Sequence, residues 1–335
     1  MITQKELAKK LNISISTVSK ALNNSPEIGK ETIERVHALA KFYKYQPNQN
    51  AVNLKKRETK TIGVIVPNIT NRFFAKVLFS IQEEASNLGY NIIICNSNES
   101  LQKEKDSLKV LSNGSVDGFI VAVSEETQLT KDYSHFEGLV NEEIPLIMFD
   151  RVLDKINCDK VIIDDADASK KAVNALIEKG REQIAFVSTI FDLNVGKLRE
   201  HSYEEAIKFN FNNKKKPLIL HITPEKDSQS QIRSFLENNP KIDGVISADN
   251  ISGTQTLNVA ISMGYKIPEA ISIIGFADDA ISKLSVPKLS ILDQNATKMG
   301  EATVHLLMKR LKNKADEMPK STQIIPTVLN NAGSL

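Results

Sequence analysis

Three short clusters in this chain combine aromatic faces with groups that make strong hydrogen bonds. Asn71, Phe73 and Phe74 follow the apolar run "TIGVIVP"; Asp150 and Arg151 close the run "IPLIMFD"; Asp249 and Asn250 follow "DGVISA". Rings stack on the C–H faces of a polyhydroxylated molecule while carboxylates and a guanidinium hold its hydroxyls, so a sugar-like ligand suits these residue types. On position alone, Phe74 serves equally as a core residue, and Asp150 with Arg151 equally as a local ion pair. A second chemistry sits near the N-terminus, where Ser16, Ser19 and Lys20 face outward from a short apolar stripe of Val18, Ala21 and Leu22. Small hydroxyls beside an ammonium on an open helix face suit a polyanion.

Catalytic chemistry finds less support. GxGxxG, HExxH and GxSxG are absent, and the pairs Gly29-Lys30 and Gly196-Lys197 have Asn24 and Phe191 where a phosphate-binding loop needs its upstream glycine. The five histidines are scattered and offer no base–nucleophile pair. Cys95 and Cys158 form no CxxC motif, which argues against a disulfide framework or a cysteine zinc site. Neither enzymatic activity nor a cofactor is expected.

The elements that must position these residues are legible as patterns. From Thr61 onward, "TIGVIVP", "NIIICN", "DGFIVAV", "IPLIMFD", "KVIID", "QIAFVS", "LILHI", "DGVISA" and "ISIIGFA" read as buried strands, with helices such as 73–88, 166–179 and 251–263 between them. That alternation predicts parallel sheets covered on both faces by helices. Ligands of such open sheets bind beyond the carboxyl ends of the strands, which is where the first three clusters fall. Before Thr61, Thr3 and Glu6 match a capping box, Leu7, Ala8 and Leu11 share a helical face, and Asn12 supplies a stop. Ser14 caps a second helix, and a third is predicted from about Lys30 to Tyr43 with Ile33, Val36 and Ala40 at helical spacing. Three short helices on tight turns are the plan of a helix-turn-helix unit; a helical cap on the larger domain is the alternative.

Charge divides the chain in the same place. Residues 1–60 hold 12 Lys and Arg against 5 Asp and Glu, whereas the whole 335-residue chain carries a formal charge of only +2. A basic head on a mildly acidic body suggests a polyanion-binding module on a carrier, although a solvated lysine-rich terminus would give the same tally. No apolar run approaches the roughly 18 residues of a membrane helix, and "MITQKELAKKLNIS" has charges where a signal peptide has its apolar stretch, so a cytoplasmic location is expected.

The stretch from "ELAKKLNISISTVSKALNN" through "YQPN" to "TIGVIVPNITNRFF" resembles the amino-terminal portion of the lactose-repressor/galactose-repressor family of transcription regulators, and later segments extend the likeness over essentially the whole chain. The resemblance implies an α/β fold with an N-terminal helix-turn-helix DNA-binding domain and a periplasmic-binding-protein-like core of two parallel α/β lobes. It implies a head at 1–58 with a hinge helix at about 48–57, and an effector-binding and dimerisation core at 59–335. One lobe would comprise about 60–160 and 290–323, the other about 161–289 and 324–335. Residues 73–88 would form much of a homodimer contact.

The resemblance also implies roles. Ile15, Ser16 and Lys20 would read bases in the major groove, and Thr3, Thr17, Ser19, Asn23 and Tyr45 would hold phosphates. Ala51, Leu54 and Lys55 would belong to the hinge, with Leu54 wedged into the minor groove of double-stranded operator DNA. Arg199 and Asp249 join Asn71, Phe73, Phe74, Asp150 and Arg151 as effector contacts. Two departures stand out: Val52 occupies a common Arg position, and "GFADD" puts Ala277 where an aspartate anchor usually stands, leaving Asp278 as the substitute. The function implied is a repressor controlled by a small sugar-like effector. An intracellular solute-binding protein or an enzyme without DNA function is the alternative.

Overall fold

The computed structural model describes residues 2–45, 58–224, 226–312 and 319–335. Ala51, Leu54 and Lys55 of the hinge expectation lie outside the described residues. Contacts divide the chain into a head ending at Thr59 and a body beginning at Lys60.

The head contains three helices: α1 (Gln4–Leu11), α2 (Ile15–Leu22) and α3 (Lys30–Phe42). The Thr3 hydroxyl accepts from the Glu6 N–H while the Glu6 carboxylate accepts from the Thr3 N–H, satisfying two donors that a helix start leaves free. Asn12 ends α1 in the left-handed region at φ 53°, where asparagine is tolerated better than most residues. The Ser14 hydroxyl then caps α2 by accepting from Thr17 N–H at 3.0 Å. Leu7, Ala8, Val18, Ala21, Val36 and Ala40 bury into one small core shared by all three helices.

The nine predicted strand runs of the body become β1 (Thr61–Val66), β2 (Asn91–Asn96), β3 (Gly118–Val121), β4 (Leu146–Phe149), β5 (Asp159–Ile163), β6 (Ile184–Ser188), β7 (Leu218–His221), β8 (Gly244–Ser247) and β9 (Ser272–Phe276). Three short strands complete them: β10 (Ser290–Asp293), β11 (Thr322–Ile325) and β12 (Val328–Asn330). They form two six-stranded sheets, ordered β11-β5-β4-β3-β1-β2 and β12-β10-β9-β8-β6-β7. Every pairing is parallel except β10 with β12. Strand β1 illustrates why its run is continuously apolar. Ile62, Val64 and Val66 enter one core cluster and Ile65 another, so both faces of the sheet are covered.

The helices that bear on the site are α4 (Arg72–Asn87), α5 (Leu101–Leu111), α6 (Glu125–Thr130), α7 (Ser134–Asn141), α8 (Asp165–Glu178), α9 (Asn194–Asn210), α10 (Ser228–Asn238), α11 (Asn250–Ser262), α12 (Asp279–Leu284) and α13 (Ala296–Lys312). The chain crosses between sheets three times, after Ile163, Asp293 and Ile325. The expected lobe boundaries lie near 161, 289 and 324; β5, β10 and β11 each run to their ends within one sheet before the chain leaves it. The connecting segments are bonded to one another: Asp164 accepts from Thr327 N–H at 2.8 Å, and the Asn295 amide donates to the Pro326 carbonyl at 2.6 Å.

Candidate functional site

Between the carboxyl ends of the two sheets lies a cleft of about 70 Å³, lined by Asn71, Phe73, Phe74, Asp150, Arg151 and Arg199 among others. That is under half the roughly 150 Å³ of an engineered cavity that admits benzene. Asp249, Asn250, Phe276, Ala277, Asp278 and Asp293 contribute from the second lobe and its return strand. All seven residues singled out from sequence for the first lobe and Arg199–Asp249 therefore reach one cavity, together with Asp278.

Their hydrogen bonds divide them by task. Asn71 caps α4, its side-chain oxygen accepting from Phe73 N–H at 3.0 Å. Phe74 is both core and lining: it is buried, meets Phe149 edge-on with centroids 6.2 Å apart, and lies under the Arg151 guanidinium at 5.4 Å. The ion pair imagined between Asp150 and Arg151 is replaced by another. Arg151 donates through Nη1 to both oxygens of Glu99, at 2.9 and 2.7 Å. Glu99 follows β2, so inspecting that strand's carboxyl end as the others were inspected would have found it.

Arg199 is 2% exposed. Its Nε donates to Asp165 at 2.6 Å and its Nη1 to the Ala248 carbonyl at 2.7 Å, while the guanidinium stacks 4.0 Å from the Phe276 ring centre. Burial pushes the Asp165 carboxyl upward, against the pull of Arg199 beside it. Asp165 had no local signal in the sequence beyond its place after β5. Gly196 fixes how closely α9 approaches: a Cβ there would lie 1.9 Å from the Ile190 carbonyl oxygen.

The remaining carboxylates serve helix starts. Asp249 caps α11, accepting from the N–H groups of Thr189, Ile251 and Ser252 and from the Ser252 hydroxyl. Asp278 caps α12 through Oδ1, and its Oδ2 accepts from Arg72 Nε across the cleft at 3.1 Å. Asp293 accepts from Asn295 N–H. Asp150 differs from all of these. It is 6% exposed, held at φ 54° at the end of β4, and among the described residues no donor reaches its carboxylate. Burial pushes its carboxyl up to about 6, against Arg199 and Arg151, with Asp165 and Glu99 adding to the rise.

On the head, Ile15, Ser16 and Lys20 are exposed on α2, Ile15 by 47%. Lys20 is ion-paired with Glu27, which no sequence pattern marked. Thr3 and Asn23 are exposed, Thr17 and Ser19 partly so. Hydroxyls of Ser14, Ser16 and Thr17 gather at the start of α2, with Ser14 2.7 Å from Ser16 and 2.8 Å from Thr17. Tyr45 packs against the head's core, so its structural part is fixed whatever its hydroxyl touches. Among the described residues no helix is long and apolar enough to cross a membrane.

A family model described as "Bacterial regulatory proteins, lacI family" matches residues 3–48, and one described as "Periplasmic binding proteins and sugar binding domain of LacI family" matches residues 59–332. The chain is 30% identical to the HTH-type transcriptional regulator RegA of Clostridium saccharobutylicum over 94% of both chains. It is 28% identical to the ribose operon repressor of Halalkalibacterium halodurans, covering 94% of this chain and 92% of that one. Among solved structures, the lac repressor dimer bound to operator and an anti-inducer superposes with a TM-score of 0.84 at 18% identity, covering 99% of this chain and 98% of that one.

Proposed function

Because the chain belongs to the lacI family of bacterial regulatory proteins, we propose that it is a repressor that binds operator DNA as a homodimer and responds to a sugar or sugar derivative. The observation that carries this reading is the tandem arrangement of a basic three-helix head and a two-lobed body with a polar and aromatic cleft, matched in order by the two family models. Residues 1–58 act as the DNA-binding domain and 59–335 as the effector-binding core. The repressor works in the cytoplasm and has no enzymatic activity.

In this reading α2 enters the major groove. Lys20 leaves Glu27 to donate to guanine O6 or N7, Ser16 serves neighbouring base edges, and Ile15 packs on a thymine methyl, each good contact giving about 1–3 kcal/mol of discrimination. Thr3, Thr17, Ser19, Asn23 and Tyr45 hold phosphates and fix the register. Ala51, Leu54 and Lys55 act at the minor groove, where an apolar wedge from each protomer unstacks one central step of a near-palindromic site. Exposed Phe79 on α4 offers an apolar contact to the second copy, and exposed Ile93 and Ile94 lie on the edge strand β2.

The cleft residues Asn71, Phe73, Phe74, Asp150, Arg151, Arg199 and Asp249 grip the effector, with Asp278 bracing the lobes. A ligand that prefers one lobe arrangement shifts the spacing of the paired hinges, and that difference in affinity is the coupling energy. The test is an unbiased selection of duplexes on the full-length protein, followed by titration at several salt concentrations with and without residues 1–58. A near-palindrome is expected, with log affinity falling by about 0.9 per phosphate neutralised for each tenfold rise in salt. Absence of sequence preference, or specific binding that survives removal of the head, would overturn the reading.

A further inference from the structure

Four carboxylates line the space between the lobes, Asp150, Asp249, Asp278 and Asp293, against two guanidiniums, Arg151 and Arg199. Arg151 is engaged by Glu99, Arg199 by Asp165, and Arg72 by Asp278. Among the described residues no lysine or histidine lines the cleft. Asp249 has neutral donors only, three N–H groups and a hydroxyl. Asp150 is buried with no donor at all among the described residues.

Resting on the reading of the body as a polyol sensor, we propose that the cleft rejects anions: its effector is a polyhydroxylated molecule without phosphate or carboxylate, and Asp150 accepts hydrogen bonds from its hydroxyls. Each of the described cations at the site, Arg151 and Arg199, already has a carboxylate partner. An incoming phosphate or carboxylate would bring further negative charge beside Asp150 and, to pair with Arg199, would have to compete with the buried carboxylate of Asp165. A pair of hydroxyls has the opposite effect. It supplies the donors Asp150 lacks and accepts from guanidinium N–H groups without breaking either ion pair. The rings of Phe73, Phe74 and Phe276 meet the C–H faces of the same molecule.

Thermal shift and calorimetry on the full-length protein at neutral pH test this with three matched sets: neutral pentoses and hexoses, their phosphate esters, and their aldonic and uronic acids. Binding is expected from the neutral set alone, each phosphate ester or acid of a binding sugar being at least tenfold weaker than its parent. A sugar phosphate or sugar acid that matches or exceeds its parent overturns the charge inference and leaves the sugar-sensor reading standing. No binding in any of the three sets overturns the sugar-sensor reading and this inference with it. Asp150→Asn, verified as folded by circular dichroism, should weaken the neutral sugar at least tenfold and narrow its advantage over the phosphate ester. An unchanged ratio removes Asp150 from the discrimination, and Asp150→Ser repeats the test should the amide variant misfold.

Discussion

Burial disfavours the ionised form of a carboxylate, and Asp150 is in that position. Its carboxyl rises from the usual 3.8 to about 6 in the folded protein, chiefly through burial. The native state therefore keeps a proton that the unfolded chain loses, and stability falls as pH rises from about 4 to about 6. That displacement corresponds to roughly 3 kcal/mol. Asp150→Asn should raise stability by up to that amount at pH 7 and by nothing below pH ~4, which urea titrations at the two pH values would check; asparagine also tolerates the left-handed backbone there. Hydroxyl donors favour the ionised form, so effector affinity should climb between pH 5 and 7. Arg199 carries the reverse liability. Arg199→Ala leaves Asp165 buried and unpaired, a loss of roughly 3–5 kcal/mol visible in the same titrations. Arg199→Lys should rescue only part of this, since one ammonium cannot reproduce the forked contact to Asp165 and the Ala248 carbonyl.

Among the elements, α9 depends on a single missing side chain. Its first turn lies so close to the loop after β6 that Gly196→Ala would drive a methyl into the Ile190 carbonyl. A loss of roughly 2–3 kcal/mol is expected, with Arg199 displaced along with its helix. Gly138→Ala in α7, where a Cβ meets nothing within 4 Å, should be neutral or slightly stabilising in the same thermal melts. Much of this architecture was readable in advance. The helices expected at 73–88, 166–179 and 251–263 begin and end within one residue of α4, α8 and α11, because Asn71 and Asp249 mark two of the starts by their capping chemistry. Strands β10, β11 and β12 went unmarked; SILD, TQII and VLN each hold only two adjacent apolar residues among polar ones, too short an apolar run to register. The partners Glu99, Asp165 and Arg72 were invisible for another reason. Each lies far along the chain from the group it pairs with, so only the packed lobes determine that they meet.

For the whole molecule, the contact between Arg72 and Asp278 is an ion pair that joins one wall of the cleft to the other. Arg72 is half exposed, which limits its worth to under about 1 kcal/mol. Arg72→Ala should therefore lower effector affinity no more than about fivefold while leaving the unfolding midpoint nearly unchanged, a combination that calorimetry and melting would separate from a folding defect. The larger restraint is the triple crossing. Asp164, Asn295 and Thr327 bind neighbouring crossings together by hydrogen bonds, Asp164 with Thr327 and Asn295 with Pro326. Three parallel pins confine the halves to swinging like a door rather than sliding or unscrewing. A protease nick in any one strap should accordingly yield two fragments on a denaturing gel and a single undivided particle in gel filtration.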